Sequence, residues 1–208
     1  MLKTLGVLIS FGLLGSSGKI IDFDSYPVGR TPPGWTVVTP DRGGPPRWEV
    51  LKDRTLNTNV LAQVSRDAAR DRFPVAILNS MNLRDADVSV RIKPVGGQED
   101  QGAGLIWRYR DPNNYYLVRA NAKANNVDVW KVENGRRLPI VPAVKHDLPP
   151  NRWTILKVSA RGNRFQVYLD HRRILEGRDS TFTGAGKVGL CTLADSVIYF
   201  DDFRVYPK

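Results

Sequence analysis

Six residues between positions 108 and 130 could hold a polar ligand with flat faces: Arg108, Tyr115, Arg119, Asn121, Asp128 and Trp130. Guanidinium, amide and carboxylate groups present planar sets of donors and acceptors that match neighbouring hydroxyls. An indole or phenol ring stacks on the C–H face of a sugar, offering apolar area beside a polar handle. The spacing puts these groups together. Between Gly102 and Arg137 apolar and polar residues alternate, and turn sequences interrupt them at Arg110-Asp111-Pro112-Asn113-Asn114, around Asn125-Asn126 and at Asn134-Gly135. A period of two predicts strands, and Asn, Asp, Gly and Pro clusters predict turns, so the stretch reads as three consecutive antiparallel strands. Leu105, Trp107, Tyr109, Tyr116, Val118, Ala120, Val127 and Val129 then face a core, while Ile106 and the six candidates face outward. The same residues would also serve plain cross-strand Arg–Asp pairing on a solvated sheet.

A second set is acidic. Asp22 and Asp24 stand two apart, on one side of an expected first strand, and Asp201 and Asp202 lie in the last. If the terminal strands meet, three or four carboxylates converge, an oxygen set suited to calcium. The alternative is edge-strand carboxylates in water or paired with Lys and Arg. The four glutamates, Glu49, Glu99, Glu133 and Glu176, are far apart in the chain. Glycoside hydrolysis needs two carboxyl groups roughly 5–10 Å apart across the sugar, and no spacing marks such a pair, so no catalytic residue is assigned.

Other groups carry less. Cys191 is the single cysteine, so no intrachain disulfide forms, and its apolar surroundings predict a small buried hydrophobe. His146 and His171 fall in expected loops without a partner at zinc-binding spacing. Gly184-x-Gly186-x-x-Gly189 matches a dinucleotide-binding fingerprint by letter, but it opens a strand rather than a helix and lacks the phosphate-binding geometry.

The elements that position these groups are short strands. Ile20–Phe23, Trp48–Leu51, Val60–Ser65, Phe73–Leu78, Ala86–Lys93, Trp153–Ala160 and the segments after Gly162, Arg172, Gly186 and Ser196 read as strands, and Pro139–Pro150 as a proline-punctuated connection. No helical period follows residue 20. Many short strands at turn spacing predict an all-β antiparallel sandwich, and a strand at each end suits a jelly roll. A positive start, the apolar run Thr4 to Leu14 and the small residues Gly15-Ser16-Ser17-Gly18 predict a signal peptide over 1–18, a periplasmic or secreted protein, and one domain over 19–208 without a transmembrane segment. The net charge of +10 is spread over scattered arginines. It favours anionic polysaccharide, phosphate-bearing envelope material or anionic lipid as partners, and no nucleic-acid motif is present.

These features combine into a resemblance. Phe23-Asp24 with Pro27-Val28-Gly29 and Pro33-Gly34-Trp35, the run Gly104 to Tyr116, Gly186-Lys187-Val188-Gly189-Leu190, and Phe200-Asp201-Asp202-Phe203 are similar to the concanavalin A-like lectin/glucanase superfamily. More narrowly they resemble bacterial exported jelly-roll domains of the laminin-G-like and keto-disaccharide-hydrolase-like kind, over about residues 20–206. The resemblance implies a concanavalin A-like jelly roll and a structural calcium joining the chain ends at Asp22, Asp24, Asp201 and Asp202. The Glu-x-Asp-x-x-Glu strand of the glucanase members is missing here. The expectation is an exported lectin-like, carbohydrate-binding module without evident catalytic machinery. The alternatives are a glycan-processing hydrolase related to keto-disaccharide hydrolases and a non-catalytic envelope adhesion domain.

Overall fold

A computed structural model describes residues 18–38 and 42–208; the expected signal peptide, apart from Gly18, lies outside the described residues. The described chain forms fifteen strands. In chain order they are β1 (Lys19–Ile21), β2 (Trp35–Val38), β3 (Trp48–Asp53), β4 (Thr58–Gln63), β5 (Val75–Leu83), β6 (Ala86–Gly96), β7 (Gly102–Asp111) and β8 (Asn114–Asn121). Then follow β9 (Asn126–Glu133), β10 (Arg136–Lys145), β11 (Thr154–Arg161), β12 (Arg164–Leu169), β13 (Arg172–Arg178), β14 (Gly186–Thr192) and β15 (Val197–Pro207). They build two antiparallel sheets. One has eight strands, ordered β13-β12-β11-β6-β15-β4-β3 with β1 also on β15, and the other seven, ordered β10-β9-β8-β7-β14-β5-β2.

Alternation decides what lies between the sheets. Val88, Val90 and Ile92 of β6 and Leu156, Val158 and Ala160 of β11 point inward from one sheet; Leu105, Trp107, Tyr116, Val118, Ala120, Val127 and Val129 point inward from the other. Trp107 stacks on Tyr116 within one sheet with ring centroids 5.3 Å apart, and Trp35 meets Phe203 edge-on at 5.3 Å across the two sheets. The terminal strands do meet, Lys19 opposite Val205 and Ile21 opposite Phe203, as the jelly-roll expectation requires.

Two local departures matter. The proline-punctuated stretch expected as a connection is instead edge strand β10, paired with β9 through register shifts around Pro139 and Val141. A proline removes one ladder donor, and an edge strand has a free side on which that donor is not needed. The other departure is a bulge in β7: the register breaks after Trp107, and Arg108 takes a φ of 50°. The bulge turns the following residue over, so Tyr109, expected in the core, joins the outer face of the sheet with Tyr115.

Candidate functional site

The site grows from β8 and β9, the middle and last strands of the three-strand block. Arg119 stands directly opposite Asp128, and Leu117 opposite Trp130, on the outer face of the seven-stranded sheet. The Arg119 Nε donates to Asp128 Oδ1 at 2.8 Å and a second guanidinium N–H donates to Oδ2, a two-point fork. The same guanidinium lies 4.7 Å from the centroid of the Trp130 ring. The three side chains thus form one rigid plate of acceptor, donor and aromatic ring, and Trp130 offers a ligand the surface that the guanidinium leaves uncovered.

This face is less open than alternation alone implies. Val75, Ile77, Ile106, Tyr115, Leu117 and Cys191 form a second apolar cluster on it. Arg137 on β10 lies 3.5 Å over the Phe73 ring and donates to the Asp71 carbonyl at 2.9 Å. Four strands separate β10 from β5, which follows Phe73, so the segment 69–73 crosses the outer face like a strap. Arg72 anchors it. Its guanidinium is wholly buried and donates to the carbonyls of Gly44, Ala194 and Pro45 and to the Ser65 hydroxyl. Burial lowers Arg137 to about 10 and also lowers Arg72.

Beside the strap lies a depression of about 300 Å³ lined by Arg70, Asp71, Phe73, Leu117, Arg119, Trp130 and Arg137. A neighbouring one of about 370 Å³ shares Arg70 and adds Glu99, Asp100, Lys123 and Ala194. The loop carrying Glu99 and Asp100 is fixed by Asp195, whose carboxylate accepts the backbone N–H groups of Gln98, Glu99 and Asp100. Burial would raise that carboxyl, but these three donors outweigh it and hold it low. Each arginine of the first depression already has a carboxylate: Arg119 has Asp128, Arg70 has Glu99 and Arg137 has Asp71. The charge of the three arginines is thus matched.

Of the six expected residues, Arg119, Asp128 and Trp130 come together here. Asn121 sits at the end of β8, where its amide N–H donates to Asp100 and its oxygen accepts from Lys123 N and Ala124 N; it shapes the rim. Tyr115 is on the expected face but wholly buried beside Tyr109, and burial pushes its phenol well above its ordinary value. Arg108, expected on the face, is 3% exposed and donates to the carbonyls of Arg84, Phe182 and Gly162 and to Asp85. The bulge that gives it a positive φ sends it to the end of the sandwich, where it ties three loops. Arg70, Asp71, Phe73 and Arg137 were not singled out. Arg70 and Asp71 lie in a charged run, Arg66 to Arg72, with no strand alternation just before the apolar strand that Phe73 opens, and Arg137 carries no such signal.

Cys191 is buried, and burial pushes its thiol up to about 12, as fits an inert packing residue. Gly186 and Gly189, from the nucleotide-like match, are packing glycines in β14. A Cβ on the first would overlap the Arg108 backbone, and on the second it would overlap the Ala76 carbonyl.

The carboxylates of the terminal strands do lie near one another. Asp24 and Asp202 each raise Asp201, and burial, the larger cause, helps push its carboxyl up to about 6. Arg91 stands 3.7 Å from Asp201 and 3.6 Å from Asp202, and Arg204 stands 3.0 Å from Asp202. Asp24 instead accepts from Thr58 Oγ1 and Asn59 N, and Asp22 from Asp24 N. Among the described residues no three His, Cys, Asp or Glu side chains are placed to hold a metal ion. Two guanidiniums occupy the place the calcium expectation gave to a cation, so this set does not fit calcium.

A comparison with protein families finds no match. A levanase of Bacillus subtilis (strain 168) is 31% identical over 106 residues, which are 51% of this chain and 15% of the levanase. The chain thus spans a small part of that relative. Among solved structures, the carbohydrate binding module CBM66 from Bacillus subtilis superposes with a TM-score of 0.64 at 26% identity, covering 86% of this chain and 98% of the module. A Bacillus subtilis protein of unknown function with a galectin-like fold gives 0.59 at 14% identity, covering 83% and 88%. That pair agrees with the two antiparallel sheets described above and with the resemblance of the sequence. The chain is an antiparallel jelly-roll sandwich similar in fold to that carbohydrate binding module and to the galectin-like protein, as the concanavalin A-like resemblance of the sequence implies.

Proposed function

We propose that the protein is a non-catalytic, exported carbohydrate-binding module, and that it takes a neutral glycan beside the strap on the outer face of the seven-stranded sheet. One observation carries the choice of place. Arg119 and Trp130, with the buried Asp128 holding Arg119 in place, form a preassembled plate in a depression whose arginines are already charge-matched. Such a site does not need an anion. It offers fixed N–H groups to hydroxyls and a ring to a sugar face, with little ordering cost on binding. Likeness over nearly the whole of a carbohydrate-binding module supports the class of ligand. The carboxylates that line these depressions are engaged, Glu99 with Arg70, Asp71 with Arg137 and Asp100 with the Asn121 amide, which favours binding over hydrolysis.

The levanase relative makes levan the first polysaccharide to try. Electrophoresis through gels containing levan or other neutral polysaccharides should retard the wild-type chain on at least one of them. Trp130→Ala should migrate as in an empty gel while melting normally. Equal retardation of the variant would remove the site, and no retardation of wild type on any neutral polysaccharide would remove the function.

A further inference from the structure

On the other sheet, β11, β12 and β13 place three arginines in one cross-strand row: Arg161 stands opposite Arg164, and Arg164 opposite Arg178. All three are exposed, on the outward side of strands whose alternate residues Ala160 and Phe165 are buried. They line, with Ser159, Gln166, Glu176 and Lys208, an open depression of about 550 Å³. Neighbouring strands are about 4.8 Å apart, so the charges are close, and like charges directly opposite each other are destabilising.

Among the described residues none of the three has an ion-pair partner, and nearby carboxylates are engaged elsewhere. Glu176 pairs with Arg173 at 3.2 Å, and Asp87 is held by Lys157 at 2.8 Å and Lys208 at 2.7 Å. Asp85 accepts from Arg108 and Gly162 N, and Asp179 from Tyr116. The contrast with the first face is the informative point: there each lining arginine has a carboxylate partner, and here, among the described residues, none of the three does.

We propose that this row is a second binding site, taking the oxyanion groups of an acidic polysaccharide. Guanidinium forks match carboxylate and sulfate oxygens in two-point fashion. Ser159 and Gln166 supply neutral hydrogen-bonding groups between the charges, as sugar hydroxyls require. No large exposed apolar side chain lines the depression to enter a bilayer, and its aromatic residue, Phe165, is 4% exposed and offers no free ring face to a nucleic-acid base. The module then has two faces on opposite sheets, one for neutral and one for acidic glycan. This site does not depend on the first.

The test uses the full chain against polygalacturonate, chondroitin sulfate, neutral dextran and duplex DNA at low and high salt. Wild type should bind the polyuronate or the sulfated glycan at low salt, and which of the two binds more tightly identifies the oxyanion. The pair Arg164→Gln with Arg178→Gln should weaken that binding about tenfold or more and flatten its salt dependence. A control of equal charge, Arg30→Gln with Arg54→Gln, should change it less than about twofold. The first pair should also raise the melting temperature at low salt, because it removes opposed like charges, and this gain should fade in high salt. Equal loss in both pairs, or no acidic-glycan binding by wild type, would overturn the site. Tighter binding of duplex DNA than of either glycan would overturn its ligand class. Neutral-glycan binding should survive in the Arg164/Arg178 pair, so failure of one face is distinguishable from failure of the other.

Discussion

Residues alike in type separate sharply by the company they keep. Arg119 and Arg108 were both expected to meet a ligand, but Arg119 forks onto Asp128 at the surface while Arg108 holds backbone carbonyls in the interior. Arg108→Met should therefore destabilise the protein by about 3 kcal/mol, since three carbonyls and Asp85 lose a charged donor. In denaturant titration the loss should appear as a lower midpoint, with the folded fraction still binding glycan. Trp130→Ala should do the reverse, lowering glycan affinity about tenfold or more with a small change in stability. A titration group gives a further check. Asp179 accepts from the Tyr116 hydroxyl at 2.6 Å and from Thr181 N at 2.8 Å. Burial opposes its ionisation, but these donors outweigh it and hold its carboxyl below the ordinary value. A carboxylate held low stabilises the fold above its unfolded value and ceases to do so as pH falls through its folded value. Asp179→Asn should thus destabilise at neutral pH and converge with wild type below about pH 4, the ordinary range of an aspartate. A constant difference across that range would assign the loss to packing. The sequence showed which residue types could bind; it could not show the bulge at Arg108, because a single positive φ leaves no trace in alternation.

Strands were the most legible elements. Alternation over 102–137 located β7, β8 and β9 and their turns, and the paired Asp170-His171 turn, with φ of 44° and 68°, is the tight type that a two-residue hairpin prefers. Strand β10 was not legible, since prolines normally end a strand and only an edge position excuses them. The strap was missed for a different reason. Arg72 and Arg137 look like surface charges in sequence, and only the tertiary fold buries one under carbonyls and lays the other on Phe73. Close sheet packing also rests on small residues that sequence reads as breakers. A Cβ on Gly104 would lie 2.5 Å from Cys191 Sγ and 2.5 Å from the Val118 carbonyl oxygen. Gly104→Ala should cost about 2 kcal/mol or more, because β7, β8 and β14 cannot separate without losing ladder bonds. A melting temperature equal to wild type would show that this junction has slack.

At the scale of the molecule, a net charge of +10 divides into two unlike surfaces. Matched arginines surround the strap-side depression, and unmatched ones line the β11–β13 row. Composition announced the charge but not its division, which depends on the register of neighbouring hairpin strands and on the segment 69–73 that crosses the outer face. The terminal strands show the same limit: their pairing was legible, but the arginines that reach Asp201 and Asp202 were not. Calcium and a chelator should accordingly give the same melting temperature, and a rise of several degrees with calcium would restore the cation at the chain ends. The most direct test of the account is a glycan array, neutral and acidic, probed with residues 19–208 and with the Trp130→Ala variant at low and high salt. The account predicts a selective neutral-glycan signal that persists in high salt and disappears with Trp130→Ala. A neutral-glycan signal indifferent to that substitution, or only salt-sensitive signals on acidic glycans, would contradict it.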